Sequence, residues 1–261
     1  MRLTRVAGVL LDLDGTLYED DTPIPGAAEV VARLRRAGLP VRFATNTTRM
    51  SRRALGDRLA ALGIPAAAEE IISAPVAAAT WLRAAGVRRI ALCVPDVTFE
   101  DFAEFERTAE RPEAVIVGDL GSAWTFERLN RAFRWLLDGA ALVAVQKNRY
   151  WKTADGLTLD AGAFVAALEF AAGVTATLTG KPSPTFFTAA AASMGLAPAD
   201  VMMVGDDAVS DVAGARGAGC VGVLVRTGKC RAADEVGDPA PDFVLDSVAD
   251  LPDALGLAEG R

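Results

Sequence analysis

Histidine is absent from this chain of 261 residues. Its absence excludes the Ser-His-Asp and Cys-His arrangements of nucleophilic catalysis, and it excludes zinc sites that are built on imidazole. Any acid–base chemistry near neutral pH must therefore come from Asp, Glu, Lys, Tyr or Cys side chains.

Cysteine is scarce, and long apolar runs are missing as well. The three cysteines, Cys93, Cys220 and Cys230, lack the spacing of metal ligands and are typical of a reduced cytosolic protein. No apolar run is long enough to cross a bilayer, and because the N-terminus leads straight into a predicted strand we expect no signal peptide. We therefore expect a cytoplasmic protein with no membrane partner.

Positive charge is in deficit, because 27 Lys and Arg residues stand against 34 Asp and Glu residues, for a net charge of −7. This balance disfavours nucleic acid as a partner, and it disfavours anionic membrane surfaces. Hydrophobic residues at 51% and charged residues at 23% are typical of a soluble globular protein. The length allows one large domain or two.

An apolar segment that ends in two carboxylates is the most informative feature that is present. Residues 6–11 (VAGVLL) predict a strand that is buried on both faces of a parallel sheet. Alternation along the strand sends Asp12 and Asp14 in the same direction, and Gly15 permits a sharp turn. One interpretation is an acidic turn; the other is a divalent-cation site with one carboxylate free to attack a substrate.

Strands alternate with helices along the rest of the chain. We predict further strands at residues 41–45, 114–117, 201–204 and 221–225, with helices between them. This alternation is typical of parallel sheets that are joined by right-handed crossovers. Ligands of such sheets bind at the carboxyl ends of the strands, which is where the two carboxylates lie.

Two other segments contain groups that suit a phosphate. Thr45 ends a predicted strand and is followed by Asn46, so a hydroxyl and backbone N–H groups could hold phosphate oxygens, although both residues also form ordinary turns. Lys181 is expected at the start of a helix, where the helix dipole disfavours a cation unless a bound phosphate compensates. The alternative for Lys181 is an exposed surface lysine.

A second group of carboxylates follows the predicted strand at residues 201–204. It consists of Asp206, Asp207 and Asp211. Asp207 and Asp211 could simply cap a helix. A second strand that ends in a carboxylate would, however, supply the remaining ligand for a cation at the first strand.

The chain resembles the haloacid dehalogenase superfamily in four motifs that occur in the family's order: Asp12 with Asp14, Thr45, Lys181, and Asp206 with Asp211. The long interval between Thr45 and Lys181 resembles the C2-capped branch, subfamily IIA. The resemblance implies an α/β fold with a Rossmann-like parallel-sheet core at residues 1–75 and 179–261. An inserted α/β cap of the C2 type would occupy residues 76–178.

The resemblance also implies a mechanism, in which Asp12 is the nucleophile and forms an aspartyl-phosphate. Mg²⁺ would be held by Asp12, by the backbone carbonyl of Asp14 and by Asp206. Asp14 would protonate the leaving group and then deprotonate the attacking water. The implied substrate is a small phosphorylated compound, namely a phosphomonoester, a phosphoramide or pyrophosphate.

The remaining motif residues would support this chemistry. Lys181, Thr45 and Asn46 are expected to bind the phosphoryl oxygens. Asp211, together with Asp207, would orient the groups that hold the metal ion.

The resemblance extends to residues 148–164, 180–184 and 226–229, which look like one subgroup of the branch. A specificity role is expected for the polar segment of the cap at residues 147–156, through Arg149, Tyr150, Trp151 and Lys152. Lys147 adds a third positive charge to this segment. The alternative is a solvated hairpin turn whose aromatic rings pack on the cap's own core. A homodimer that forms through the cap would suit the resemblance.

Two other function classes remain open at this point. A phosphotransferase or phosphomutase would use the same site but would need an acceptor that competes with water. A catalytically idle binding protein would keep the fold alone, and a phosphatase assay with Mg²⁺ and EDTA separates it from an enzyme.

Overall fold

We describe the protein from a computed structural model that covers residues 6–153 and 155–257, with backbone only at residues 151–153. The strands in chain order are β1 (Gly8–Asp12), β2 (Tyr18–Glu19), β3 (Thr22–Pro23), β4 (Val41–Thr45), β5 (Ile71–Ser73), β6 (Arg89–Cys93), β7 (Glu106–Arg107), β8 (Ala114–Val117), β9 (Ala141–Ala144), β10 (Tyr150–Thr153), β11 (Gly156–Leu159), β12 (Thr177–Leu178), β13 (Val201–Gly205), β14 (Val221–Val225) and β15 (Phe243–Leu245).

The α-helices of the described residues are at most 12 residues long. They are α1 (Ala27–Arg36), α2 (Arg52–Ala61), α3 (Ala74–Ala84), α4 (Phe126–Leu137), α5 (Ala161–Ala172), α6 (Pro184–Ala192), α7 (Gly214–Gly217) and α8 (Leu251–Ala254). Within the described part of the chain, none of these helices has the length and apolar character that a membrane crossing requires.

The chain divides into two compact units. The first comprises Met1–Thr45, Arg52–Ile72 and Lys181–Arg261, and the second comprises Asn46–Ser51 and Ser73–Gly180. The second unit is therefore largely an insertion into the first.

The first unit contains a sheet in the order β15-β14-β13-β1-β4-β5. The pairs from β15 to β4 are parallel, which confirms the predicted parallel α/β architecture. The central strands β1 and β13 are buried along their whole length, because helices cover both faces of such a sheet. The buried residues of α1 recur at the spacing of one helical face, so this helix packs on the unit's core.

The second unit contains its own parallel sheet, in the order β12-β9-β8-β6-β7. Alternation along β8 sends Ile116 to a core cluster that includes residues of α3. It sends Val115 and Val117 to a cluster on the other face, with residues of α4 and α5. Two apolar layers enclose this sheet as well.

Three local expectations need correction. The polar segment after β9 is partly a strand, because β10 pairs with β11 in an antiparallel hairpin in which Thr153 is opposite Gly156. A smaller hairpin, β2 with β3, lies within residues 17–25 (LYEDDTPIP), a polar stretch with two prolines that predicts a loop. The helix expected at Lys181 begins at Pro184, after Ser183 caps it, because the prolines at 182 and 184 favour an extended lead-in.

Candidate active site

Three neighbouring strands of the first unit bring the predicted motifs to one edge of the sheet. Asp12 ends β1, and its register partner on β4 is Ala44, which precedes Thr45. On the other side, Leu11 is in register with Val204 of β13, and Asp206 follows that strand directly. Because all three strands are parallel, their carboxyl ends meet at the same edge.

Carboxylates and one ammonium group form a cluster at this edge. Oxygens of Asp12, Asp206 and Asp211 lie within 4.8 Å of one another. The ammonium of Lys181 donates to Asp12 Oδ1 and to Asp211 Oδ1, each at 2.6 Å, and to the carbonyl of Ala44 at 3.2 Å. Lys181 is 4% exposed, and Asp211 is fully buried.

The structure differs from the expected placement of Lys181 in two respects. Lys181 is not an exposed surface lysine, and it precedes the helix rather than opening it. Its charge is stabilised by two carboxylates, and phosphate binding by Lys181 stays a prediction. This pairing joins residues that are 169 and 30 positions apart, which no local pattern reveals.

The cluster has more negative than positive charge. Burial alone would lower the pKa of Lys181, but the charges of Asp12 and Asp211 outweigh it and raise that pKa, so the ammonium stays protonated. Burial, and next the charge of Asp12, raises the pKa of Asp206 to about 6. The same two causes raise the pKa of Asp211. A second cation would relieve this excess of carboxylate charge.

Asp14 lies beside the cluster and keeps contact with solvent. Desolvation by the surrounding protein, and next the charge of Asp12, raises the pKa of Asp14, while Arg58 and Lys229 oppose the shift. A carboxyl group that holds its proton more readily than usual suits proton donation.

Asp207 and Asp211 follow β13 but have different partners. Asp207 Oδ1 accepts from the backbone N–H groups of Val209 and Ser210, so this carboxylate caps the π-helical turn at Ala208–Ala213. Asp211 Oδ2 accepts from the N–H of Asp207, and its Oδ1 accepts from Lys181. Asp211 is thus a member of the cluster, whereas the carboxylate of Asp207 stabilises the turn.

The donor set fits a hard divalent cation. Asp206 Oδ1 is buried and has no hydrogen-bond partner among the described residues, while its Oδ2 accepts from the N–H of Lys229 at 2.7 Å. An unpaired buried carboxylate oxygen is costly, and a metal ion would satisfy it. Oxygen donors without imidazole or thiolate are the ligand set that Mg²⁺ prefers.

Glycines allow the backbone to approach Asp206 closely. A Cβ added at Gly15 would lie 2.2 Å from Asp206 Oδ2, and one added at Gly228 would lie at the same distance from that atom. Gly15 also has a φ of +80°, which L side chains rarely adopt. The turn after β1 and the loop after β14 therefore both depend on glycine.

Reasoning from the ends of strands did not identify the residues after β14 as part of the site. Residues 227–229 contact the turn after β1 and Asp206, and the Lys229 ammonium lies 4.0 Å from Asp207 Oδ2. The available signal was the segment at 226–229, which sequence reasoning used only as part of a family likeness.

Thr45 and Asn46 lie next to each other in sequence but fall in different units. Thr45 is buried at the end of β4, in the same unit as the carboxylates. Asn46 begins the short segment that is grouped with the second unit. Phosphate binding by either residue stays a prediction.

The polar segment of the second unit presents its side chains unequally. The ammonium of Lys147, which adds positive charge to this segment, binds both carboxylate oxygens of Glu169, at 2.9 and 3.0 Å. Arg149 is exposed, and Tyr150 is 54% exposed, so this ring does not pack in the unit's core. The side chains of Trp151 and Lys152 lie outside the described residues, so their predicted role stays a prediction.

Comparisons with known proteins agree with this fold. The family model for haloacid dehalogenase-like hydrolases matches residues 9–106, and a HAD-hydrolase-like model matches residues 178–251. The chain is similar to the haloacid dehalogenase-like hydrolase domain-containing protein 2 of Bos taurus, with 44% identity over 240 residues and 92% of each chain covered.

Two further relatives carry the name of an activity. The phospholysine phosphohistidine inorganic pyrophosphate phosphatase of Homo sapiens is 38% identical over 261 residues, with 97% of this chain and 96% of the relative covered. The solved structure of a 4-nitrophenylphosphatase from Thermotoga maritima superposes with a TM-score of 0.88 at 28% identity, and covers 97% of this chain and 98% of its own.

Fold, site and relatives together define a hydrolase with a parallel α/β core and an inserted α/β cap domain, as predicted. The chain belongs to the haloacid dehalogenase-like hydrolase family.

Proposed function

We propose that this chain is a Mg²⁺-dependent phosphatase that acts through an aspartyl-phosphate on Asp12. The observation that carries the proposal is the buried Lys181 ammonium, which binds Asp12 and Asp211 beside the unpaired Oδ1 of Asp206. The cluster thereby brings three groups to one edge of the sheet: the Asp12 carboxylate, the Lys181 ammonium and the unpaired Oδ1 of Asp206.

Mg²⁺ would be held by Asp12, by the backbone carbonyl of Asp14 and by Asp206, and Asp211 would orient these groups through Lys181. The bound ion would supply charge neutralisation, so that one anion can approach another. The support for this set is the proximity of the carboxylate oxygens and the orphaned Oδ1 of Asp206.

In the first half-reaction, Asp12 attacks phosphorus and forms a new P–O bond, while the bond from phosphorus to the leaving oxygen, or to the leaving nitrogen of a phosphoramide, breaks. Asp14 gives its proton to that leaving atom. In the second half-reaction, water attacks phosphorus, its proton passes to Asp14, and the bond to Asp12 breaks to release phosphate. The raised pKa of Asp14 supports its role as the general acid.

Lys181, with Thr45 and Asn46, would bind the oxygens of the transferring group. The ammonium of Lys181 donates to Asp12, to Asp211 and, at the longer distance of 3.2 Å, to the carbonyl of Ala44. A phosphoryl oxygen would most readily replace the longest of these bonds.

The inserted domain, with bounds at residues 76–178, would act as a cap that excludes water and selects the substrate. We assign specificity to Arg149, Tyr150, Trp151 and Lys152, and the exposure of the first two supports this assignment. The substrate would be a small phosphorylated compound, a class in agreement with the phosphatase names of two relatives. A homodimer through the cap is part of the same proposal.

The test is a phosphatase assay across phosphorylated metabolites and pyrophosphate, with Mg²⁺ or with EDTA. We expect phosphate release with Mg²⁺, none with EDTA, and recovery when Mg²⁺ is restored. Equal rates in Mg²⁺ and EDTA would refute the metal dependence. Transfer of the phosphoryl group to an added alcohol in preference to water would make the chain a phosphotransferase instead.

A further inference from the structure

Three consecutive residues after β14, which we call the clasp (residues 227–229), donate three hydrogen bonds to the turn after β1, to β2 and to Asp206. The hydroxyl of Thr227 donates to the carbonyl of Gly15 at 2.5 Å. The N–H of Gly228 donates to Glu19 Oε1 at 2.9 Å, and the N–H of Lys229 donates to Asp206 Oδ2 at 2.7 Å. The clasp thus joins a turn, a strand of the small hairpin and a carboxylate.

The clasp also packs closely against the same partners. A Cβ on Gly228 would lie 2.6 Å from the Cα of Gly15, so the two glycine backbones are in contact. The same Cβ would lie 2.2 Å from Asp206 Oδ2. The backbones of Gly15 and Gly228 therefore both pack against Asp206 Oδ2, and this packing restricts rotation of the carboxylate.

Arg226 anchors the clasp on its N-terminal side. Its guanidinium donates to both oxygens of Glu235 at 2.8 Å and also binds Asp246. A bidentate pair of this kind restricts orientation as well as distance. The ion pairs of Arg226 therefore fix the position of the chain directly before the clasp.

The two oxygens of Asp206 therefore have different surroundings. Oδ2 is occupied by the clasp, whereas Oδ1 is buried and lacks a partner within the described residues. We propose that the clasp is a positioning device that fixes Asp206 so that Oδ1 is directed at the metal ion, with Thr227 as its essential side chain. This inference rests on the proposed Mg²⁺-dependent function.

Thr227 is the informative position because the other two donors are backbone groups. Thr227→Val removes the hydroxyl and keeps the shape, and Thr227→Ser restores the donor. The matched control is Thr98→Val, because the buried Thr98 hydroxyl also donates to a backbone carbonyl, that of Pro95 at 2.8 Å, in the other unit.

The experiment measures the Mg²⁺ dependence of thermal unfolding in metal-stripped protein, with no substrate present. It also measures the Mg²⁺ dependence of p-nitrophenyl phosphate hydrolysis. We expect Thr227→Val to need about tenfold more Mg²⁺ for half of the stabilisation and half of the activity. At saturating Mg²⁺ its KM should match the wild type. Thr227→Ser and Thr98→Val should keep the wild-type midpoint, although Thr98→Val lowers Tm.

Equal Mg²⁺ midpoints for Thr227→Val and the wild type would overturn the role of the clasp and leave the phosphatase proposal intact. A wild type that neither gains stability from Mg²⁺ nor hydrolyses any phosphate compound would overturn both. If Thr227→Val fails to fold, Glu19→Ala takes its place, because it removes the exposed acceptor of the Gly228 N–H. It should raise the Mg²⁺ midpoint about threefold, and an unchanged midpoint would overturn the inference.

Discussion

Lys181 shows how a single buried charge links stability to chemistry in this protein. Its ammonium forms ion pairs with two carboxylates, of which Asp211 is fully buried. A buried charge pair is costly to break, because the remaining partner is left uncompensated. The effects of substitutions in this cluster on stability and on activity must therefore be measured together.

Asp12→Asn should reduce turnover to background while the protein remains folded. The amide oxygen of the substituted side chain can still accept from Lys181, but the amide is a poor nucleophile and a weaker metal ligand than the carboxylate. Phosphate release and thermal unfolding are measured on the same preparation. Retained activity in purified Asp12→Asn protein would remove Asp12 from the nucleophile role.

Asp14→Asn and Lys181→Ala should fail in different ways. Loss of Asp14 removes proton transfer, so turnover falls while a phosphate analogue such as vanadate still binds. Loss of Lys181 should weaken vanadate binding as well, and it should lower stability by about 3–5 kcal/mol, because Asp211 loses its partner. Identical vanadate affinity in the wild type and Lys181→Ala would contradict this assignment.

At the scale of elements, the turn after β1 depends on one glycine. Gly15→Ala should disturb Asp206, since the new Cβ would lie 2.2 Å from Oδ2 of that carboxylate. Gly38→Ala is the matched control, because Gly38 has a similar φ of +77° but no atom within 4 Å of an added Cβ. Both variants should lose about 1–3 kcal/mol from backbone strain.

Only Gly15→Ala should also lose Mg²⁺-dependent stabilisation and phosphatase activity. Thermal unfolding with and without Mg²⁺ checks this difference. If Gly38→Ala loses Mg²⁺ binding to the same extent, strain rather than contact with Asp206 explains the effect.

The segment between β9 and β11 is the element that we expect to choose the substrate. Arg149→Ala or Lys152→Ala should raise KM for the natural substrate and leave KM for p-nitrophenyl phosphate nearly unchanged. Lys147→Ala is the control, since its ammonium binds Glu169. Specificity lies elsewhere in the cap if both substrates respond equally, or if neither responds.

At the scale of the whole molecule, we expect a homodimer that forms through the cap. The β10–β11 hairpin exposes Tyr150, Leu157 and Leu159, and the register places Tyr150 opposite Leu159. Leu157 lies two residues from Leu159 and therefore shares its face. Light scattering after size exclusion should give the dimer mass for the wild type and the monomer mass for Leu157→Lys. A wild type that stays monomeric at high concentration contradicts the dimer.

Much of the architecture could be predicted from local patterns. The apolar strands β1 and β13, each followed directly by carboxylates, were recognisable because burial on both faces demands a continuous apolar run. Asp12 and Asp206 were placed at the same edge by the general rule for parallel sheets. The β10–β11 hairpin was harder to recognise, because a polar, exposed pair of strands lacks the apolar alternation that marks a half-buried strand.

The sequence by itself determined the order of strands and helices, and therefore which residues end a strand at the carboxyl edge, because hydrophobic periodicity and turn residues act over a few positions. Only the tertiary structure decided which charges pair and which oxygen lacks a partner. Lys181 meets Asp12 across 169 residues, and Thr227 meets Gly15 across 212 residues. Such contacts form only when separate strands pack side by side, so the division of labour between the two oxygens of Asp206 is a property of the folded chain.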